Sequence, residues 1–116
     1  MKARILLTSL AFAGFVTPAI AHAFLQHASP GAGATPATAP KEITLEFSEP
    51  LEPAFSGIDV TDAGGHDMEA ARPVVNGAFV RVALKPLAAG TYRVAWRAVS
   101  VDTHRTEGSY RFMIKP

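Results

Sequence analysis

Within Ser100–Gly108, "SVDTHRTEG", a carboxylate and an imidazole stand two positions apart, at Asp102 and His104. Carboxylate oxygen and imidazole nitrogen are ligands for a divalent metal. If the start of this segment is extended, residues i and i+2 point to one side, and the two groups can share an ion. The plainer alternative is a turn in which Asp102 accepts hydrogen bonds from backbone amides. The other histidines have less around them. His66 sits in "GGHDM", a glycine-rich stretch that reads as a solvated turn, and His27 has no chemical neighbour in sequence. Met68 and Met113 stand apart, whereas a thioether site for Cu(I) gathers several soft ligands together.

A further histidine gains importance from where the chain is cut. Lys2 and Arg4 precede the apolar run Ile5–Val16, and Pro18 and small residues follow, the three-part pattern of a secretory signal peptide. The run is too short to span a membrane, which takes about 20 apolar residues. "PAIAHAF", Pro18–Phe24, holds two overlapping Ala-x-Ala triplets. Cleavage after Ala21 starts the chain at His22; cleavage after Ala23 discards that histidine. The first triplet is favoured because it lies closer to the apolar run, directly after Pro18. We therefore read residues 1–21 as the leader and 22–116 as one exported domain. A terminal His22 offers its α-amine and its imidazole to one metal. With reference pKa values of about 7.7–8.0 and 6.5, both are partly deprotonated near neutral pH. Together with Asp102 and His104 they make three nitrogens and one oxygen, a tetragonal set that suits Cu(II). Whether the two ends of the chain meet is not visible in the sequence.

Composition narrows the classes. Removing 21 of 116 residues leaves 95, enough for one core, and losing Lys2 and Arg4 from 11 basic residues leaves 9 against 10 acidic. That balance points to neither nucleic acid nor an anionic membrane as partner. With no cysteine there is no thiol nucleophile, no thiolate zinc site and no blue-copper centre.

The elements that must position these ligands are strands. In "ITLEF", Ile43, Leu45 and Phe47 alternate with polar residues. "SGIDVTD" is a second strand, ending at the turn "AGGHD", and "VVNGAFVRVAL" carries the hairpin signal Asn76-Gly77. In "TYRVAWRAVS" Tyr92, Val94, Trp96 and Ala98 share one face and Arg93 and Arg97 the other. "GSYRFMIK" places Tyr110, Phe112 and Ile114 inward and Met113 outward, "AFLQHA" reads as an edge strand, and "SPGAGATPATAP" as a loop. No segment keeps a helical period for three turns. The expected fold is a single small all-β domain, a Greek-key sandwich or barrel of roughly seven strands.

Three segments in order resemble the CopC-type family of periplasmic copper-binding proteins: "HAFLQHASPGAGA", "ITLEFSEPLEPAFSGIDVTD" and "GTYRVAWRAVSVDTHRTEGSYRF". Together they span nearly all of residues 22–116. The resemblance implies a cupredoxin- or immunoglobulin-like β-fold and one Cu(II) held by His22, through amine and imidazole, and by Asp102 and His104. It also implies that Glu49, in the "FSE" run, lies near the terminal amine and orients the ligands. The family match begins at His22, which again favours the earlier cut. Phe24 replaces the second histidine many members carry, and no ligand role passes to His27. Thr103 stands where the family usually has Gly, a change of little cost where its backbone angles are ordinary. With only His66 and Met68 in place of a methionine-rich loop, the chain resembles the Cu(II)-only type.

The function this implies is non-catalytic: a periplasmic copper carrier or buffer in homeostasis or resistance, with a CopD-type inner-membrane protein as partner. One alternative is a copper-brace oxidase of the lytic monooxygenase kind. Asp102 would occupy a position that oxygen needs there, and Tyr92 and Trp96 fall on the core face instead of forming a sugar platform. The other alternative is a metal-free secreted immunoglobulin-like module.

Overall fold

The computed structural model describes residues 23–116; residues 1–21, expected to be a leader, and His22 lie outside the described residues. Among the described residues seven strands follow in order: β1 (Leu25–Ser29), β2 (Glu42–Phe47), β3 (Gly57–Thr61), β4 (Val74–Asn76), β5 (Phe79–Ala83), β6 (Gly90–Val99) and β7 (Arg105–Ile114). One 3₁₀ turn, Pro53–Phe55, interrupts the connection from β2 to β3. The strands form two antiparallel sheets, β1-β2-β5-β4 and β3-β6-β7. The chain passes from one sheet to the other after β2, after β3 and after β5, so the expected all-β sandwich is what this sequence builds.

Alternation explains the packing. Ile43, Leu45 and Phe47 of β2 meet Val80 and Val82 of β5, Ile58 and Val60 of β3, and Tyr92, Val94, Ala98, Phe112 and Ile114 of β6 and β7, all buried. Apolar burial at about 25 cal/mol per Å² is the main force holding the sheets face to face. Tyr92 stacks on Phe112 with centroids 5.5 Å apart and donates its hydroxyl to the Ala88 carbonyl at 2.6 Å. That upstream bond is the tyrosine corner of immunoglobulin-like sandwiches. Tyr110 donates to the Pro30 carbonyl at 2.8 Å, and burial pushes its pKa up to about 12.

Two glycines are dictated by geometry. Gly108 lies opposite Trp96 in the β6–β7 ladder, and a Cβ there would stand 2.4 Å from the indole ring. The absent side chain lets Trp96 lie across β7 and present its edge to Phe47, with centroids 5.3 Å apart. In the β4–β5 hairpin Asn76 pairs with Phe79, so the loop is Gly77-Ala78, and Gly77 takes the positive φ of 63° that a primed turn requires. Asn76-Gly77 marks the hairpin, but with Asn76 as the last strand residue, one place earlier than a turn centred on the pair.

The strands that matter most for chemistry are β6 and β7. They pair over ten residues each, from Gly90↔Ile114 to Val99↔Arg105. Such a long, fully paired ribbon holds the short loop at its tip, Ser100–His104, at one end of the sandwich.

Candidate metal centre

At that tip the chain does not stay extended. The Ser100 amide donates to the His104 carbonyl at 2.9 Å, and the Thr103 amide donates to the Ser100 carbonyl at 2.8 Å. Thr103 adopts φ 73°, the left-handed region. A β-branched residue is poorly suited to that region. The condition under which Thr103 would cost little is therefore not met: the position needs what glycine supplies, and threonine meets it at a cost of roughly 1–2 kcal/mol.

The turn still brings the two ligand candidates together, for a reason other than strand alternation. His104 Nδ1 lies 3.4 Å from Asp102 Oδ1, and the side chains are 49% and 44% exposed. Two donors bound side by side at about 2 Å from one ion stand roughly 3 Å apart, so this spacing suits a shared metal. Asp102 is anchored from within: the Ser100 hydroxyl, fully buried, donates to its Oδ1. That bond holds the Asp102 carboxyl below the usual carboxylate range, with the His104 imidazole and nearby amides adding to the effect. The group therefore stays ionised, as a ligand must.

Two further segments frame this loop. The Thr106 hydroxyl donates to the Ala23 carbonyl at 2.8 Å, across 83 positions of sequence. The Phe24 amide donates to Ser48 Oγ and the Ser48 amide returns to the Phe24 carbonyl, each at 2.8 Å. The first described residue is thus buried and tied to β7 two positions past His104. The β2–β3 connection closes the third side. The Val101 amide donates to the Pro50 carbonyl at 3.3 Å, and Glu52 N donates to Val99 O at 2.8 Å. Glu49, half-buried, stands between Ser48, which grips the chain start, and Pro50, which grips the loop.

His22 itself lies outside the described residues. Among the described residues no group of three His, Cys, Asp or Glu could hold a metal, and Asp102 and His104 stand as a pair of candidate ligands. His27 pairs with Glu46 on the exposed side of β1 and stands apart from it. His66 is the expected solvated turn residue, its amide and Nδ1 bonded to Asp62 at 2.8 and 3.1 Å. Met68 packs partly buried against the core and Met113 is exposed on β7.

Sequence reasoning missed Ser100, Thr106 and Ser48. For Ser100 a signal existed: it continues the inward series Tyr92, Val94, Trp96, Ala98, and a buried hydroxyl must find a partner. For Thr106 and Ser48 there is none, since their partners are distant backbone atoms.

The chain is similar in sequence and fold to known proteins. The family model of the CopC domain matches residues 25–115. Protein YobA of Escherichia coli K12 is 41% identical over 116 residues, covering 96% of this chain and 90% of that protein. The structure of CopC from Methylosinus trichosporium OB3b superposes with a TM-score of 0.75 at 34% identity, over 82% of this chain and 95% of that one. PcoC, a methionine-rich copper resistance protein from Escherichia coli, superposes with a TM-score of 0.71 at 39% identity, over 82% and 100%.

Proposed function

The chain belongs to the CopC family, and on that premise we propose that it is a copper-binding protein of copper resistance and homeostasis that holds one Cu(II) through His22, Asp102 and His104. The observation that carries this reading is the bond from Thr106 to the Ala23 carbonyl, which ties the residue after His22 beside the Asp102–His104 loop. A chain cut after Ala21 would begin at that place. Its amine and imidazole would join the loop carboxylate and imidazole, the nitrogen-rich set that Cu(II) prefers. Glu49 would lie behind the terminal amine, adding negative charge and a hydrogen-bond acceptor. Residues 1–21 are the leader of a periplasmic protein in this reading. The half-exposed ligands suit a carrier or buffer that exchanges its ion by ligand exchange, with a CopD-type inner-membrane protein as partner.

The role is non-catalytic. Trp96 is committed to Gly108 and Phe47, and Tyr92 to Phe112 and Ala88, so neither ring forms a platform for polysaccharide. The scarcity of methionine, with Met68 and Met113 far apart in use, favours Cu(II) over Cu(I).

Thermal unfolding with Cu(II) tests the proposal. A ligand that binds only the folded state at a thousandfold excess over Kd adds about 4 kcal/mol. The melting temperature of protein starting at His22 should therefore rise markedly at neutral pH. The rise should vanish in acid, where amine and imidazoles take up protons. An unchanged melting temperature at neutral pH would refute copper binding.

A further inference from the structure

We propose that Ser100 is the positioning residue of the metal centre, fixing the Asp102 carboxylate through a hydrogen bond from a buried hydroxyl; the inference rests on Asp102 being a copper ligand. Ser100 is the first loop residue after β6, 0% exposed, and continues the strand's inward series by one place. It is bonded to both loop candidates at once. Its hydroxyl donates to Asp102 Oδ1, and its amide donates to the His104 carbonyl at 2.9 Å. The hydroxyl oxygen also lies 3.4 Å from that carbonyl.

The physical argument is one of rigidity against exposure. Asp102 and His104 are half in solvent, and an exposed carboxylate on a loop explores several rotamers whose loss opposes metal binding. A donor immobilised in the core removes that freedom before the ion arrives. Ser56 gives the contrast. It too is a buried serine, and its hydroxyl accepts from the Val99 amide at 3.0 Å, but it touches neither ligand candidate. Its contribution is to strand stability alone.

Outer hydrogen-bond partners of metal ligands are worth about 10–100-fold in affinity. Ser100→Ala should weaken Cu(II) binding by that factor and change the copper hyperfine splitting in electron paramagnetic resonance. Ser100→Thr, which keeps the donor, should restore both, and Ser56→Ala should lower the melting temperature with the copper spectrum unchanged. A double-mutant cycle then decides how Ser100 acts. In an Asp102→Ala background, Ser100→Ala should have no further effect on affinity. Equal losses with and without Asp102 would overturn the inference, as would wild-type affinity and spectrum in Ser100→Ala. If Asp102→Ala alone left copper affinity intact, the ligand assignment itself would fall, a distinguishable outcome.

Discussion

Among the described residues two Asp–His pairs stand on exposed turns, and they differ in where the carboxylate is spent. In the β3–β4 connection Asp62 accepts from the amides of Gly64 and His66 at 2.9 and 2.8 Å and meets His66 Nδ1 at 3.1 Å. The carboxylate closes its own turn, and Gly65 supplies the positive φ of 85°. In the β6–β7 loop Asp102 leans first on Ser100, a residue anchored in the core, and the surrounding surface is formed by the chain start and the β2–β3 connection. Both carboxyls titrate below their usual range, so charge alone does not separate them. The first is held low chiefly by a backbone amide, the second chiefly by a buried hydroxyl. On the proposed reading, an Asp–His pair serves a metal when other elements hold it open, and closes a turn when it is bonded only within itself.

The sharpest break of this comparison is removal of each imidazole. His104→Ala should lower Cu(II) affinity by more than about 100-fold in a competition titration, beyond what an outer partner contributes. His66→Ala should leave it unchanged. Equal effects would erase the distinction between the two pairs.

A second test reaches the scaffold under the loop. Gly108→Ala forces a methyl group against Trp96 and should cost about 1–3 kcal/mol in denaturant unfolding. The His66 turn, whose hydrogen bonds run between Asp62 and His66 far along β6 from Trp96, should keep its local hydrogen-exchange protection. Wild-type stability in this variant would show that Trp96 can move aside freely.

The backbone offers a smaller and reciprocal test. Thr103→Gly relieves a left-handed strain of roughly 1–2 kcal/mol and pays part of it back in chain entropy, so unfolding should become harder by roughly 0.5–1 kcal/mol. Gly65→Thr introduces the same strain at φ 85° and should destabilise by about 1–2 kcal/mol.

The smallest effect concerns acid. The folded-state pKa of Asp62 is depressed, so its contribution to stability is present above the ordinary value of about 3.9 and is lost as pH falls through the lower folded value. Asp62→Asn should flatten the acid limb of the apo-protein stability curve and leave copper affinity at neutral pH untouched.

How much of this could be read in advance follows the range of each interaction. Strand alternation is local, so the inward faces of β2, β6 and β7 and the outward Met113 were legible residue by residue. The solvated role of His66 was legible too, because Gly64, Gly65 and Asp62 stand beside it. The left-handed Thr103 was not, since nothing in its own side chain asks for that angle; only the family's glycine hinted at it. Trp96 against Gly108 depends on cross-strand register, which periodicity leaves open. The meeting of Ala23 with Thr106 is a contact across 83 positions with no local signature. The pairing of Asp102 with His104 was legible as a spacing; of the two conformations the sequence left open, an extended segment or a turn at Asp102, the structure has the turn, and its anchor, the buried Ser100 hydroxyl, belonged to neither reading.

The central claim is that the chain start completes a metal site with this pair. It is tested most directly by native mass spectrometry of exported protein, untagged at its N-terminus, with one equivalent of Cu(II), beside a version made to begin at Phe24. The account predicts an exported chain that begins at His22 and retains one copper, and a Phe24-start chain that retains none. Equal copper retention by both would contradict it.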